Sequence, residues 1–108
     1  MDKKTEKIIQ NTFSLGSIRD ASVFLSICVK NAFPEFYFRG IEITNLMAGT
    51  KTIEGKSWNH ALKVTRVEIE GVKAWEVSCH RISEGKTADK KALLDMELNL
   101  IKTETKNV

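Results

Sequence analysis

The chain has 108 residues, of which 42% are hydrophobic and 29% are charged. A chain of this size and composition can bury one hydrophobic core, which excludes an intrinsically disordered protein and predicts a single domain over residues 1–108. The 17 basic and 14 acidic side chains leave a formal charge of +3, a surplus too small to indicate nucleic acid or a membrane surface by itself.

The first third of the chain predicts two helices. Ile8, Ile9 and Phe13 are at helical spacing behind a lysine-rich start, which indicates a short amphipathic helix. A second helix is predicted from Ser17, a capping residue, to about Phe33, because the only proline follows at position 34 and disfavours helical geometry in the residue before it. Apolar side chains cover more than half of this second helix, so we expect it to be largely buried.

The residue types change after the proline. Aromatic and β-branched side chains predict a strand over residues 36–46, bulged at Gly40. Residues 48–57 contain two glycines and several small polar residues, and we interpret them as a loop that holds a short strand around Ile53.

The most regular stretch, between residues 61 and 82, predicts a β-hairpin that turns near Glu70. A two-residue turn at Glu70 and Gly71 pairs Arg66 with Trp75. A three-residue turn that starts at Glu70 pairs Arg66 with Glu76 instead, and both registers remain open at this point.

The closing stretch, residues 92–105, fits two structures. Its apolar residues alternate with polar ones, which predicts a strand over residues 92–103, whereas its leucine, methionine and glutamate content favours a helix. A helix would give the element order of double-stranded RNA-binding domains, whose last helix opens with adjacent lysines comparable to Lys90 and Lys91. We favour the strand. The fold class is then α+β, with two N-terminal helices packed on a C-terminal antiparallel sheet of about four strands.

Cys28 and Cys79 are the only cysteines, and both lie in apolar runs that predict buried free thiols. Two cysteines are too few for a zinc site, and they fit a reducing compartment better than a disulfide scaffold. The N-terminus lacks the apolar core of a signal peptide, and nowhere do about 18 apolar residues run together. We therefore predict a cytoplasmic protein without a metal or cofactor.

Catalytic motifs are missing from the sequence: it has no phosphate-binding glycine loop, nucleophile elbow or paired-histidine metal motif. His60, His80 and Lys63 are the best catalytic candidates, as the base, acid and anion stabiliser of a metal-independent ribonuclease. The two-residue turn places His80 opposite Ala61, so that the two imidazoles tend to opposite faces, while the three-residue turn places them on one face. We expect two unrelated histidines and a protein that is not an enzyme.

Binding residues are predicted among the exposed candidates. Trp58 precedes a strand and is the residue we single out for an interface, whereas Trp75 lies in an apolar strand and is predicted to be core. A phosphate-binding patch would need two polar loops at one sheet end to bring together their lysines, which are Lys51, Lys56, Lys86, Lys90 and Lys91.

The functional class expected from these observations is a small cytosolic binding protein of the inhibitor, immunity-protein or adaptor type, acting on a macromolecular partner, most simply a protein. The alternative is an RNA-binding protein. An exposed edge strand, at residues 36–46 or 92–103, could also pair two copies into a homodimer.

Overall fold

A computed structural model gives the structure of residues 1–81 and 88–107, with the backbone alone for residues 88 and 105–107. Two helices precede six strands. The predicted α+β class with N-terminal helices and an antiparallel sheet is confirmed, but the sheet has six strands rather than about four. The elements are α1 (Lys3–Ser14), α2 (Ile18–Ala32), β1 (Glu42–Met47), β2 (Thr52–Ser57), β3 (His60–Ile69), β4 (Val72–Arg81), β5 (Ala88–Leu94) and β6 (Leu100–Asn107).

Both helices begin at a capping side chain. The Asp2 carboxylate accepts a hydrogen bond from the backbone N–H of Thr5 at 2.7 Å, and the Ser17 hydroxyl accepts one from the N–H of Asp20 at 3.2 Å. Such bonds satisfy donors that the first helical turn leaves without a partner. The predicted start of α2 is thus confirmed, and its cap at the other end is Phe33.

The strands follow one another as an antiparallel meander in the order β1-β2-β3-β4-β5-β6. Consecutive turns therefore alternate between two ends of the sheet. The β1–β2, β3–β4 and β5–β6 turns lie at one end, which we call the β1–β2 end, and the β2–β3 turn lies at the other, the β2–β3 end. One face of the sheet carries the helices, and the opposite face, called the open face, carries no helix formed by the described residues.

The register of β3 and β4 is that of the two-residue turn. Arg66 is paired with Trp75, and both Glu70 and Gly71 have positive φ values, 51° and 81°, as a tight hairpin turn requires. The two-residue alternative is confirmed and the three-residue one is wrong.

The core lies between α2 and the helix-facing side of the sheet. α2 contacts every strand, whereas α1 packs mainly against α2. Trp75 stacks on Phe13 of α1 at 5.8 Å between ring centroids and meets Phe24 of α2 edge-on at 5.1 Å. The predicted core position of Trp75 is confirmed by its 1% exposure, and Cys28 and Cys79 are buried free thiols, as expected.

Two predicted boundaries are wrong in the middle of the chain. The supposed loop at residues 48–57 is a short turn followed by β2, which includes the expected strand around Ile53. The supposed strand at residues 36–46 begins only at Glu42, and its irregularity lies between Ile43 and Asn45 rather than at the predicted glycine.

The closing stretch is neither a helix nor one strand, because β5 and β6 form a hairpin there. The Asp95 carboxylate accepts hydrogen bonds from the backbone N–H groups of Glu97 and Asn99, both at 2.9 Å, and so fixes the turn. The element order of double-stranded RNA-binding domains is therefore excluded.

Candidate binding surface

A segment without regular secondary structure, residues 33–41, connects α2 to β1 and is called the crossing segment below. It returns over the helix-facing side of the sheet at the β2–β3 end. Along its length it passes Lys90 of β5 and His60 of β3. Its last part is held by two hydrogen bonds, from the Ser57 hydroxyl to the carbonyl of Arg39 and from the Ser22 hydroxyl to the carbonyl of Ile41.

Two rings of the crossing segment and the imidazole of His60 in β3 form an aromatic cluster. His60 meets Phe38 edge-on with 5.4 Å between ring centroids, and Phe36 lies 6.0 Å from Phe38 and 6.3 Å from His60. Burial among these rings lowers the pKa of His60, and the positive charge of Arg81, its partner in β4, lowers it further. His60 is thus a neutral packing residue at neutral pH.

Lys90 fastens the start of the crossing segment to β5. It is paired with Cys79, which places it on the helix-facing side of the sheet. Its Nζ lies 4.4 Å from the ring centroid of Phe36 and 3.2 Å from a carboxylate oxygen of Glu35. The lysine charge is therefore engaged by an aromatic ring and a carboxylate within the chain.

Trp58 is the first of two turn residues between Ser57 and His60. Its φ of 52° lies in the left-handed region that favours glycine and asparagine. Its side chain is 84% exposed, the most exposed of the large hydrophobic side chains in the described part of the chain. A bulky indole thus occupies a strained turn position without packing against the core.

Tyr37 is the second large exposed ring at this end, with 82% of its surface accessible. The Arg39 guanidinium lies 5.5 Å from its ring centroid. Tyr37 also lines a groove of about 420 Å³ between the crossing segment and α2, where Val29 and Ile41 supply apolar walls and Lys30 a charged rim.

These features share one end of the molecule. Ser57, next to Trp58, is hydrogen-bonded to Arg39, which in turn lies over Tyr37. We call the surface formed by Tyr37, Arg39, Trp58 and the aromatic cluster the aromatic end. It presents two exposed rings and a guanidinium, the side-chain types that dominate the binding energy of protein interfaces.

The candidate catalytic residues do not assemble. His60 lies on the helix-facing side, whereas His80 is paired with Ala61 and lies on the open face, where its Nδ1 is hydrogen-bonded to the Asp89 carboxylate. Lys63 is exposed on the open face, opposite Ser78. The two imidazoles are therefore separated by the sheet, and no acid–base pair forms between them.

The predicted lysine patch is divided in the same way. Lys51 lies in the β1–β2 turn with its Nζ 5.5 Å from the Phe13 ring centroid, at the end opposite to Lys90. On the open face, Lys56 lies 3.8 Å from a carboxylate oxygen of Glu42, and Lys91 lies 4.0 Å from one of Glu76. Lys86 lies outside the described residues.

Metal binding, thiol chemistry and membrane insertion were considered for the described ranges 1–81 and 88–107. No group of three or more histidine, cysteine, aspartate or glutamate side chains in them could hold a metal ion. Burial raises the pKa of Cys28 far above its usual range and that of Cys79 to about 11, so neither thiol is a nucleophile at neutral pH. No helix in these ranges has the length and apolar character needed to cross a membrane.

In comparisons with known proteins, no family model matches the chain, and no curated protein or solved structure matches it significantly. The sequence singles out Trp58 but not Tyr37 or Arg39, because the segment that carries the latter two was interpreted as a strand. The sequence carries no clear signal for this segment, because Pro34 marks only the end of the helix and the aromatic residues after it favour a strand.

Proposed function

We propose that this chain is a non-catalytic binding protein that attaches to a protein partner through the aromatic end. The observation that carries the proposal is the strained backbone and high exposure of Trp58. Its φ of 52° makes the turn less stable than a glycine or asparagine would, and its 84% exposure means that the core gains nothing from the indole. A contact outside the chain accounts for a tryptophan at this position.

The chemistry of the partner follows from the neighbours of Trp58. Tyr37 adds a second exposed ring, and the groove beside it offers apolar walls for a side chain of the partner. Lys30 and Glu35 line the groove, and Arg39 is an exposed basic residue over the Tyr37 ring. The partner surface is therefore an apolar contact with a carboxylate placed to meet Arg39.

Ion pairs at this end of the sheet favour a protein over a nucleic acid. Glu35 pairs with Lys90, and Glu42 pairs with Lys56 on the open face, so that both lysines are engaged within the chain rather than free to bind phosphates. A single-stranded nucleic acid needs a basic groove along its backbone. RNA binding is the second candidate, and what favours it is the pair of exposed rings near Arg39, which could stack on bases.

We place this binding protein in the cytoplasm, among inhibitors, immunity proteins and adaptors. The buried free thiols Cys28 and Cys79 support a reducing compartment, because they lie in separate elements and each is enclosed by apolar neighbours. Among the described residues, His60 and His80 lie on opposite faces of the sheet and form no acid–base pair, which supports a role that depends on occupying a partner.

The test uses a double variant, Tyr37→Ser with Trp58→Ser, beside a matched control, Leu15→Ser. Leu15 follows α1, is 76% exposed and lies away from the aromatic end, so its change removes exposed apolar surface elsewhere. Immobilised wild-type protein is used to capture partners from cell extract, and each purified candidate is titrated against all three proteins. We expect the double variant to bind at least roughly tenfold more weakly, as for interface hot spots, and the control to bind as the wild type does.

Fluorescence gives a second measurement, because Trp58 is exposed and Trp75 is buried. Burial of Trp58 under a partner should shift its emission to shorter wavelengths. Equal affinity of the wild type and the double variant, or no change in emission on binding, would contradict the proposal. Binding of single-stranded RNA that is lost in the double variant and weakens steeply with salt would establish the second candidate instead.

A further inference from the structure

The two edges of the sheet differ in how well they are protected. Within the described chain, β1 and β6 each have a hydrogen-bonded neighbour on one side only. β1 has six residues and a register shift in its middle, between Ile43 and Asn45, and such irregularities discourage pairing with another chain. β6 has eight residues, and its register shift lies at its beginning, near Leu100. The rest of β6 therefore offers a regular row of backbone donors and acceptors.

We propose that β6 pairs antiparallel with β6 of a second copy of this chain, around a two-fold axis at Thr103. The charges of β6 carry the proposal. Lys102 and Glu104 are exposed and lie on the open face, opposite Leu93 and Lys91 of β5. With Thr103 opposite its own counterpart, Lys102 of each copy lies opposite Glu104 of the other. Two equivalent ion pairs form across the new ladder.

Neighbouring registers are unfavourable for the same reason. A two-fold axis at Glu104 places that carboxylate opposite itself, and an axis at Lys102 does the same for the ammonium group. A shift by a single residue places open-face side chains of one copy opposite helix-side residues of the other. An axis at Thr105 would also place Glu104 opposite a lysine, at position 106, but it aligns only residues 103–107 of β6, whereas the axis at Thr103 aligns residues 100–106. Charge pattern and strand length together therefore select the axis at Thr103.

The surroundings of β6 leave room for an added strand. On the helix-facing side a depression of about 180 Å³ lies between residues 32–35 and the strand residues Leu100 and Thr103. Leu100 is 45% exposed and Ile101 is 53% exposed, and a second strand along this edge would cover part of both. The two copies would share one sheet of twelve strands with their helices on the same side. This self-association is independent of partner binding at the aromatic end.

The test exchanges charges at the two positions in separate proteins. Lys102→Glu gives a chain with two carboxylates on this stretch, and Glu104→Lys gives one with two ammonium groups, so each variant repels its own copy. We expect the wild type to sediment with twice the mass of one chain and each variant alone to associate roughly tenfold more weakly or worse. An equimolar mixture of the two variants should restore the dimer, because every pair across the interface is again of opposite sign.

Lys63→Glu serves as the matched control, since it makes the same charge change on the open face in the middle of the sheet. It should dimerise as the wild type does. Circular dichroism and thermal unfolding check that each variant is folded. The check matters for Glu104→Lys, because the new lysine lies opposite Lys91 of β5 in the same chain and repels it. A wild type that is monomeric at high concentration, a dimer that persists in Lys102→Glu, or a variant mixture that stays monomeric would each overturn the proposal.

Discussion

At the scale of single residues, Gly55 shows how closely the helix layer approaches the sheet. It lies on the helix-facing side of β2, and a Cβ built there would be 2.7 Å from Cδ2 of Leu25 and 2.9 Å from the carbonyl oxygen of Glu42. Leu25 is completely buried, so it has little space to move aside. The glycine therefore permits the packing of α2 on β2 rather than a special backbone conformation.

We predict that Gly55→Ala destabilises the protein by about 1–3 kcal/mol, the usual cost of overfilling a packed core. Gly49→Ala is the control, because a Cβ at Gly49 meets no atom within 4 Å, and an alanine there should leave the stability unchanged or slightly raised. Chemical denaturation of both variants measures the difference. Equal stabilities would show that α2 does not pack on β2 as closely as described.

Gly55 also explains one failure of the sequence interpretation. A strand residue that must be glycine, together with the buried hydroxyl residues Thr52 and Ser57, gives β2 the composition of a loop. The demand for a small side chain comes from Leu25, which is distant in sequence, so the local pattern could not reveal it. The β3–β4 hairpin has no such constraint, and its register is one of the two that the sequence left open.

At the scale of elements, the β5–β6 hairpin shows how a turn can be hidden in a regular pattern. The alternation of Leu94, Met96, Leu98 and Leu100 indicates one continuous strand, yet the chain reverses between Asp95 and Asn99. The turn uses a buried leucine, Leu98, at a φ of 66°, a position where a sequence pattern leads one to expect glycine or asparagine.

We predict that Asp95→Ala loosens β6 selectively. It removes two hydrogen bonds to backbone N–H groups, which should cost about 1–2 kcal/mol. Because β6 has one neighbour strand within the described chain, the amides of β6 should exchange with solvent faster, while those of β3 should be less affected. Hydrogen exchange measured residue by residue tests this expectation.

Asn99→Ala is the control for the turn, since it removes an exposed side chain and keeps the backbone N–H that Asp95 accepts. Its exchange pattern should match that of the wild type. If Asp95→Ala and Asn99→Ala behave alike, the carboxylate does not hold the turn. A loss of protection spread evenly over all strands would show that the hairpin does not open separately.

The crossing segment was the least predictable element, and it carries most of the aromatic end. Its aromatic and β-branched residues favour a strand, but its polar backbone groups are bound by side chains of other elements, such as Ser22 and Ser57. Those partners become visible only when the sheet is assembled. Trp58 could be singled out from sequence because its position before a hairpin strand was recognisable.

At the scale of the whole molecule, α2 is the element that joins all the others. It contacts α1 and every strand of the sheet, and its buried side chains include Phe24, Leu25 and Cys28. A sheet of six strands in a meander has mostly local contacts between neighbours, and the strands at its two edges are connected chiefly through this helix. We therefore expect the helices and the sheet to unfold as one cooperative unit.

The two cysteines test this cooperativity, because Cys28 lies in α2 and Cys79 in β4. Their thiols are 0% and 4% exposed, and burial raises the pKa of both. Each should therefore react with a thiol reagent at least about a thousandfold more slowly than in the unfolded chain, through openings that expose it. The variants Cys79→Ala and Cys28→Ala report the remaining thiol one at a time.

Two free energies are compared for each variant: that of opening, obtained from the labelling rate, and that of unfolding, obtained from denaturant titration. If α2 and the sheet form one unit, the two are equal. The comparison within each variant removes the effect of the alanine on stability. If Cys28 reacts through a smaller opening than Cys79 does, α2 separates from an intact sheet. The six strands would then hold together without the helix that spans them, and the cooperative interpretation would be wrong.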